Sequence, residues 1–147
     1  SPFGRLGLDA DLNRAAVFIA GGIGITPFIS MLRDTIKQQR QQDVVLLYAN
    51  RNPDEAAYLS ELQQITAQNS RVNLVATMTR IDAAVHNWTG MQGHLSAERI
   101  QACTQGLQRP VYYVSGPPML VEAMLDILLD ELGVDEEDIC SESFTGY

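Results

Sequence analysis

The segment Gly21-Gly22-Ile23-Gly24-Ile25-Thr26-Pro27 follows directly on the apolar run Val17-Phe18-Ile19-Ala20. Glycines closing a buried strand let the backbone turn sharply and let a ligand come close with no Cβ in the way. A helix that starts at once, with Thr26 as its N-cap and Pro27 at its first helical position, turns free N–H groups and a partial positive charge towards that ligand. Gly21, Gly22, Gly24, Thr26 and Pro27 are therefore the candidates for holding a pyrophosphate. The spacing departs from Gly-x-Gly-x-x-Gly, because Pro27 stands where the third glycine would be. No Lys-Ser or Lys-Thr follows, so the turn is not a P-loop.

A second segment of related character, Val114-Ser115-Gly116-Pro117-Pro118-Met119, closes another β-rich run. In open α/β sheets ligands bind outside the carboxyl ends of the strands, which is where both segments fall. The tail Glu142-Ser143-Phe144-Thr145-Gly146-Tyr147 sets a carboxylate two residues before an aromatic ring.

The elements that must position these residues alternate along the chain. Five β-rich runs, Ala16–Ala20, Val44–Tyr48, Asn73–Thr77, Val111–Ser115 and Ile139–Ser141, are separated by helical patterns over 26–39, 53–66, 96–103 and 117–132. Ser96 is placed to cap the third helix and Gly133 to stop the fourth. This alternation predicts an α/β fold, a five-stranded parallel sheet with helices on both faces. Residues 80–94 fit neither period and read as a long loop, with Trp88 its packing anchor. His86 and His94 are given no acid–base role.

The three segments together resemble the ferredoxin–NADP reductase superfamily. Gly21–Pro27 is similar to its first nucleotide motif, Ser115–Met119 to its Cys-Gly-Pro-Pro-x-Met motif, and Glu142-x-Phe144 to its C-terminal acidic–aromatic pattern. The resemblance implies strand order 3-2-1-4-5 and a two-domain flavoenzyme. In such an enzyme an N-terminal barrel holds FAD and this domain binds NADH or NADPH and delivers hydride to the flavin. Residues 1–8 then read as the end of the barrel or a linker, and residues 9–147 as the NAD(P)-binding domain. Gly116, Pro117, Pro118 and Met119 fall at the nicotinamide end. Ser115 replaces the cysteine that orients hydride transfer in relatives, and Glu142 and Phe144 join it as catalytic candidates. Phe144 is favoured as the ring covering the flavin, with Tyr147 second. The replacement of cysteine by Ser115 is the one feature favouring the alternative, a nucleotide-binding regulatory module without chemistry.

The family reads the adenosine 2′ position after its second and third strands, which here places Asn50, Arg51 and Arg80 at that end. Arginine suits a 2′-phosphate because its planar fork donates two bonds at once. No acidic residue occupies position 50 or 51, so these residues lean towards NADPH over NADH. The onward acceptor would be ferredoxin, or an iron–sulfur or haem protein or domain.

Composition narrows the classes further. Ten basic against 18 acidic residues give a net charge of -8, which disfavours nucleic acid and makes a strongly acidic ferredoxin a poor partner for this domain's surface. The apolar stretch 15–29 is broken by glycine, threonine and proline, well short of the roughly 20 residues of a membrane span. Cys103 and Cys140 have no metal-like spacing and read as reduced thiols. The expected setting is cytoplasmic, whether free or as the cytoplasmic part of a membrane-bound parent.

Overall fold

The computed structural model describes residues 14–145. The expectations for residues 1–8 and for Tyr147 lie outside them. Six strands form one sheet: β1 (Ala16–Gly21), β2 (Val44–Asn50), β3 (Val72–Met78), β4 (Met91–Gln92), β5 (Val111–Gly116) and β6 (Ile139–Ser143). Their order is β4-β3-β2-β1-β5-β6, and each pairing is parallel. The sheet therefore has six strands where the sequence predicts five. The five expected strands keep their relative order, and the addition is the two-residue edge strand β4. It arises inside the segment expected to be all loop. The Thr77 hydroxyl donates to the Gly93 carbonyl at 2.6 Å and the Gly93 N–H to the Met78 carbonyl at 2.9 Å, which holds Met91–Gln92 beside β3. Trp88 anchors the approach to it, its indole N–H donating to the Met91 carbonyl at 2.9 Å.

The strands alternate strictly between two cores, as a period of two requires when both faces are covered. Phe18, Ala20, Leu46, Tyr48 and Tyr113 meet Phe28, Ile29 and Leu32 of α1 (Thr26–Lys37) and Leu62 of α2 (Leu59–Gln68). Val17, Ile19, Val45, Leu47 and Val114 meet Ile100 of α3 (Ala97–Thr104) and Val121 and Met124 of α4 (Pro118–Asp126) on the other face. In the first core the Phe18 and Phe28 rings stack with centroids 4.6 Å apart.

Helix ends deviate from expectation in instructive ways. Ser96 caps α3 as anticipated, its Oγ accepting the Arg99 N–H at 3.2 Å. Thr26 is not an N-cap. A 3₁₀ turn over Gly22–Ile25 runs into α1, so Thr26 and Pro27 form the helix's first turn and the Thr26 hydroxyl donates back to the Ile23 carbonyl at 3.1 Å. The helical N-terminus at this end of β1 thus belongs to the glycine turn itself, which Gly22 enters with φ +55°. The predicted helix over 53–66 divides into a 3₁₀ turn, Pro53–Glu55, and α2. The predicted helix over 117–132 continues past α4 as a wider π turn, Ile127–Glu131, and ends before Gly133, whose φ is +64°.

Candidate functional site

β1 stands at the point where the chain's direction of travel across the sheet reverses. It pairs with β2 on one side and β5 on the other, and a crevice opens above such a point at the strands' carboxyl ends. The two glycine-containing segments meet in this crevice. A Cβ on Gly24 would lie 2.3 Å from the Ser115 carbonyl oxygen and 2.8 Å from the Gly116 Cα. A Cβ on Gly116 would lie 3.3 Å from both the N and O of Gly21. Gly24 therefore serves close packing of the helical turn on the end of β5. Its Cβ direction is into protein backbone.

The polar atoms left without partners map a path along the same edge. Among the described residues, the buried side-chain atoms lacking a hydrogen bond are Asn52 Oδ1, Ser115 Oγ and Glu142 Oε2, while the buried Asn50 side chain is engaged by the Tyr48 hydroxyl. Buried polar groups in folded proteins are paired as a rule, so each exception calls for a reason. All three stand at or just beyond the carboxyl ends of β2, β5 and β6, on either side of the glycine turn that follows β1. Ser115 is fully buried, and Glu142 is its register partner on β6, so the two share a face of the sheet at neighbouring strands. The Phe144 N–H donates to the Gly116 carbonyl at 2.9 Å, which holds the half-buried Phe144 beside the second motif. Pro117 caps α4 and Pro118 opens it, leaving the Met119 side chain 83% exposed at the helix start.

At the opposite end, the exits of β2 and β3 are laced together. The Thr79 N–H donates to the Asn50 carbonyl at 2.9 Å and the Arg80 N–H to the Arg51 carbonyl at 2.7 Å. Arg51 and Arg80 are thus brought side by side. Arg51 is not a free cation, however. Its Nε donates to Glu55 Oε2 at 2.8 Å and its Nη2 to Glu55 Oε1. Sequence reasoning looked for an acid at positions 50 and 51 and so missed Glu55. The available signal was Pro53, whose fixed φ favours the tight turn that folds Glu55 back. No cluster of three or more metal-binding side chains occurs among the described residues.

The model of the oxidoreductase NAD-binding domain family matches residues 18–126. The chain belongs to this family. It carries the ferredoxin–NADP reductase type of NAD-binding domain that the three segments resemble. It is 31% identical over 150 residues to a subunit of the Na(+)-translocating NADH-quinone reductase of Haemophilus influenzae (strain 86-028NP), and 29% identical over 149 residues to its counterpart in Methylococcus capsulatus. Each alignment covers 99% of this chain and 36% of the relative, so the chain spans about a third of those proteins' length. Among solved structures it is similar to the flavohem-like FAD/NAD binding domain of nitric oxide dioxygenase from Vibrio cholerae. That match has 26% identity and a TM-score of 0.74, over 92% of this chain and 53% of the other. The cytochrome b5 reductase domain of Ulva prolifera nitrate reductase superposes with a TM-score of 0.75 over 92% of this chain and 49% of the other. At 20% identity it speaks for the fold alone. No helix among the described residues is long and apolar enough to cross a membrane.

Proposed function

We propose that residues 9–147 form the pyridine-nucleotide-binding domain of a flavin-dependent oxidoreductase, with a FAD-binding domain preceding them in the parent protein. The observation that carries this reading is the line of three unpartnered buried polar atoms along the carboxyl edge, Asn52 Oδ1 on one side of a glycine-built helix N-terminus and Ser115 Oγ and Glu142 Oε2 on the other. A nicotinamide dinucleotide has polar groups distributed in that sequence: adenosine ribose, pyrophosphate, nicotinamide. A bound nicotinamide nucleotide supplies the hydride, for which alignment with the flavin matters more than a general base.

The chain's own residues do the positioning. The N–H groups of the Gly22–Ile25 turn hold the pyrophosphate, with Gly21, Thr26 and Pro27 fixing the turn. Asn50, Arg51 and Arg80 flank the adenosine end. Ser115 Oγ and Glu142 Oε2 offer hydrogen bonds at the nicotinamide end, where Gly116 lets the backbone approach and Pro117, Pro118 and Met119 form the rim. The Phe144 ring covers the flavin until nicotinamide takes its place, with Tyr147 as the second aromatic candidate. Relatives named NADH-quinone reductase and an FAD/NAD binding domain of a dioxygenase support this placement of the domain beside a flavin. These names also favour a reductase over an inert regulatory module. Onward transfer runs to an iron–sulfur or haem acceptor or to ferredoxin, at a cytoplasmic surface.

Calorimetric titration with NADH, NADPH and AMP at low ionic strength tests the assignment, and Ser115→Ala sharpens it. Losing an unpartnered buried hydroxyl relieves a desolvation cost of about 1–3 kcal/mol. The variant should therefore melt at the same or a higher temperature while binding NADH more weakly and AMP unchanged. NADH binding equal to wild type would remove Ser115 from the nicotinamide end.

A further inference from the structure

The edge of the sheet beyond β2 and β3 carries two arginines and two carboxylates: Arg51 and Arg80, with Asp54 and Glu55 on the 3₁₀ turn. Their formal charges cancel, whereas a site for a phosphate dianion needs a positive excess. The geometry makes the balance more than arithmetic. Nε and Nη2 are the side edge of the Arg51 fork, one of the two-donor edges that guanidinium offers a phosphate, and both already bond the two oxygens of Glu55. Arg80 has no ion-pair partner among the described residues, but it stands beside the same carboxylate-bearing turn through its N–H bond to the Arg51 carbonyl.

We propose that Glu55 sets the nucleotide preference of this chain, selecting an unmodified ribose over a 2′-phosphate and so NADH over NADPH. A 2′-phosphate approaching Arg51 meets a carboxylate already occupying the Nε/Nη2 edge of its fork and must bear the repulsion of a like charge at close range. A ribose hydroxyl meets no such obstacle and donates to the same carboxylate. The pair is exposed, with 62% of the Arg51 side chain and 38% of the Glu55 side chain accessible, so its own strength is modest. The effect comes from where it holds the negative charge. The arginines alone lean the other way, and the turn that returns Glu55 reverses that lean. The inference rests on the nucleotide-binding reading above.

The test is titration of the chain and of Glu55→Gln with AMP and 2′-phospho-AMP, which differ only in the 2′-phosphate, at fixed low ionic strength. Wild type should bind AMP at least as tightly as 2′-phospho-AMP. Glu55→Gln should raise the affinity for 2′-phospho-AMP relative to AMP by about tenfold, the scale of one screened charge contact. Adding Arg51→Ala should abolish that gain. Equal melting temperatures for wild type and Glu55→Gln establish that an exposed site was changed without loss of fold. Wild type preferring 2′-phospho-AMP, an unchanged ratio in Glu55→Gln, or a gain that survives Arg51→Ala overturns the role of Glu55 and leaves the nucleotide site standing. Failure of wild type to bind either ligand overturns the site itself, and the inference with it.

Discussion

Replacing Gly24 with alanine should abolish measurable nucleotide binding and lower the stability of the chain by about 2 kcal/mol, the cost of overpacking a filled interior. The new Cβ would lie 2.3 Å from the Ser115 carbonyl oxygen and 2.5 Å from its carbonyl carbon. Both are backbone atoms of a central strand, so no side-chain rotation relieves the clash. The glycine turn must lift off β5, which widens the crevice and turns its N–H groups away from the ligand. Gly21→Ala provides the contrast. Its Cβ would meet Leu120 Cδ2 at 2.4 Å, the far end of a side chain that can move. Urea denaturation and calorimetric titration of both variants should therefore rank Gly24→Ala as much the more damaging. Equal effects would show that the glycines act by flexibility alone and that contact with β5 is immaterial. The expected mechanism differs from the one the motif suggests. The motif points to a glycine kept bare for the pyrophosphate, whereas the Cβ direction at position 24 is into protein.

Asp138→Ala should cost about 3 kcal/mol at neutral pH, as expected when one member of a buried ion pair is removed. Asp138 is 4% exposed, and its carboxylate receives Arg14 Nη2 at 3.0 Å and Arg109 Nε at 2.9 Å. Arg14 also donates to the Arg109 carbonyl, from Nη2 at 2.6 Å and Nε at 3.1 Å. This cluster joins the entries of β1, β5 and β6 at the edge opposite the proposed nucleotide site. Burial pushes the Asp138 carboxyl up, but the two guanidinium groups outweigh it and hold it below the usual carboxylate range. A carboxyl depressed in the folded state contributes stability that is complete above its unfolded pKa of about 4 and fades as pH falls below that value. The difference in unfolding free energy between wild type and Asp138→Ala should thus be constant from pH 7 to about pH 5 and shrink below about pH 4. A difference independent of pH down to pH 2 would refute the charged cluster as its source. Nucleotide affinity at pH 7 should be unaffected, since the cluster lies at the far edge.

The elements of the fold were legible because their signals are local. Apolar runs such as Val44–Tyr48 and Val111–Ser115 are buried on both faces, so burial itself writes continuous hydrophobicity into the sequence. Ser96 and Gly133 act within a turn of their own positions. The clustering of the two glycine motifs was likewise readable, because strand ends in parallel sheets all point to one edge.

Contacts set by backbone direction or by distant pairing left no comparable mark. Strand β4 has two residues, too few for any period, and exists through what Thr77 and Gly93 do across 16 positions. Thr26 reads as a cap from its type alone, but the chain is already helical at Gly22, so its hydroxyl serves an interior bond. Arg14 and Asp138 stand 124 residues apart, and nothing in the neighbourhood of either announces the other.

The amino-acid sequence by itself determined the α/β class, the strands that make up its centre, the family and the edge of the sheet where chemistry is to be sought. Each of these follows from hydrophobic period, turn chemistry and motif spacing, which act over a few residues. The tertiary structure alone decided which way Gly24 faces, that Ser115 Oγ and Glu142 Oε2 are left unpaired on adjacent strands, and that Glu55 closes on Arg51. Those facts depend on where a side chain points once the backbone has turned, and a linear pattern carries no record of direction in space.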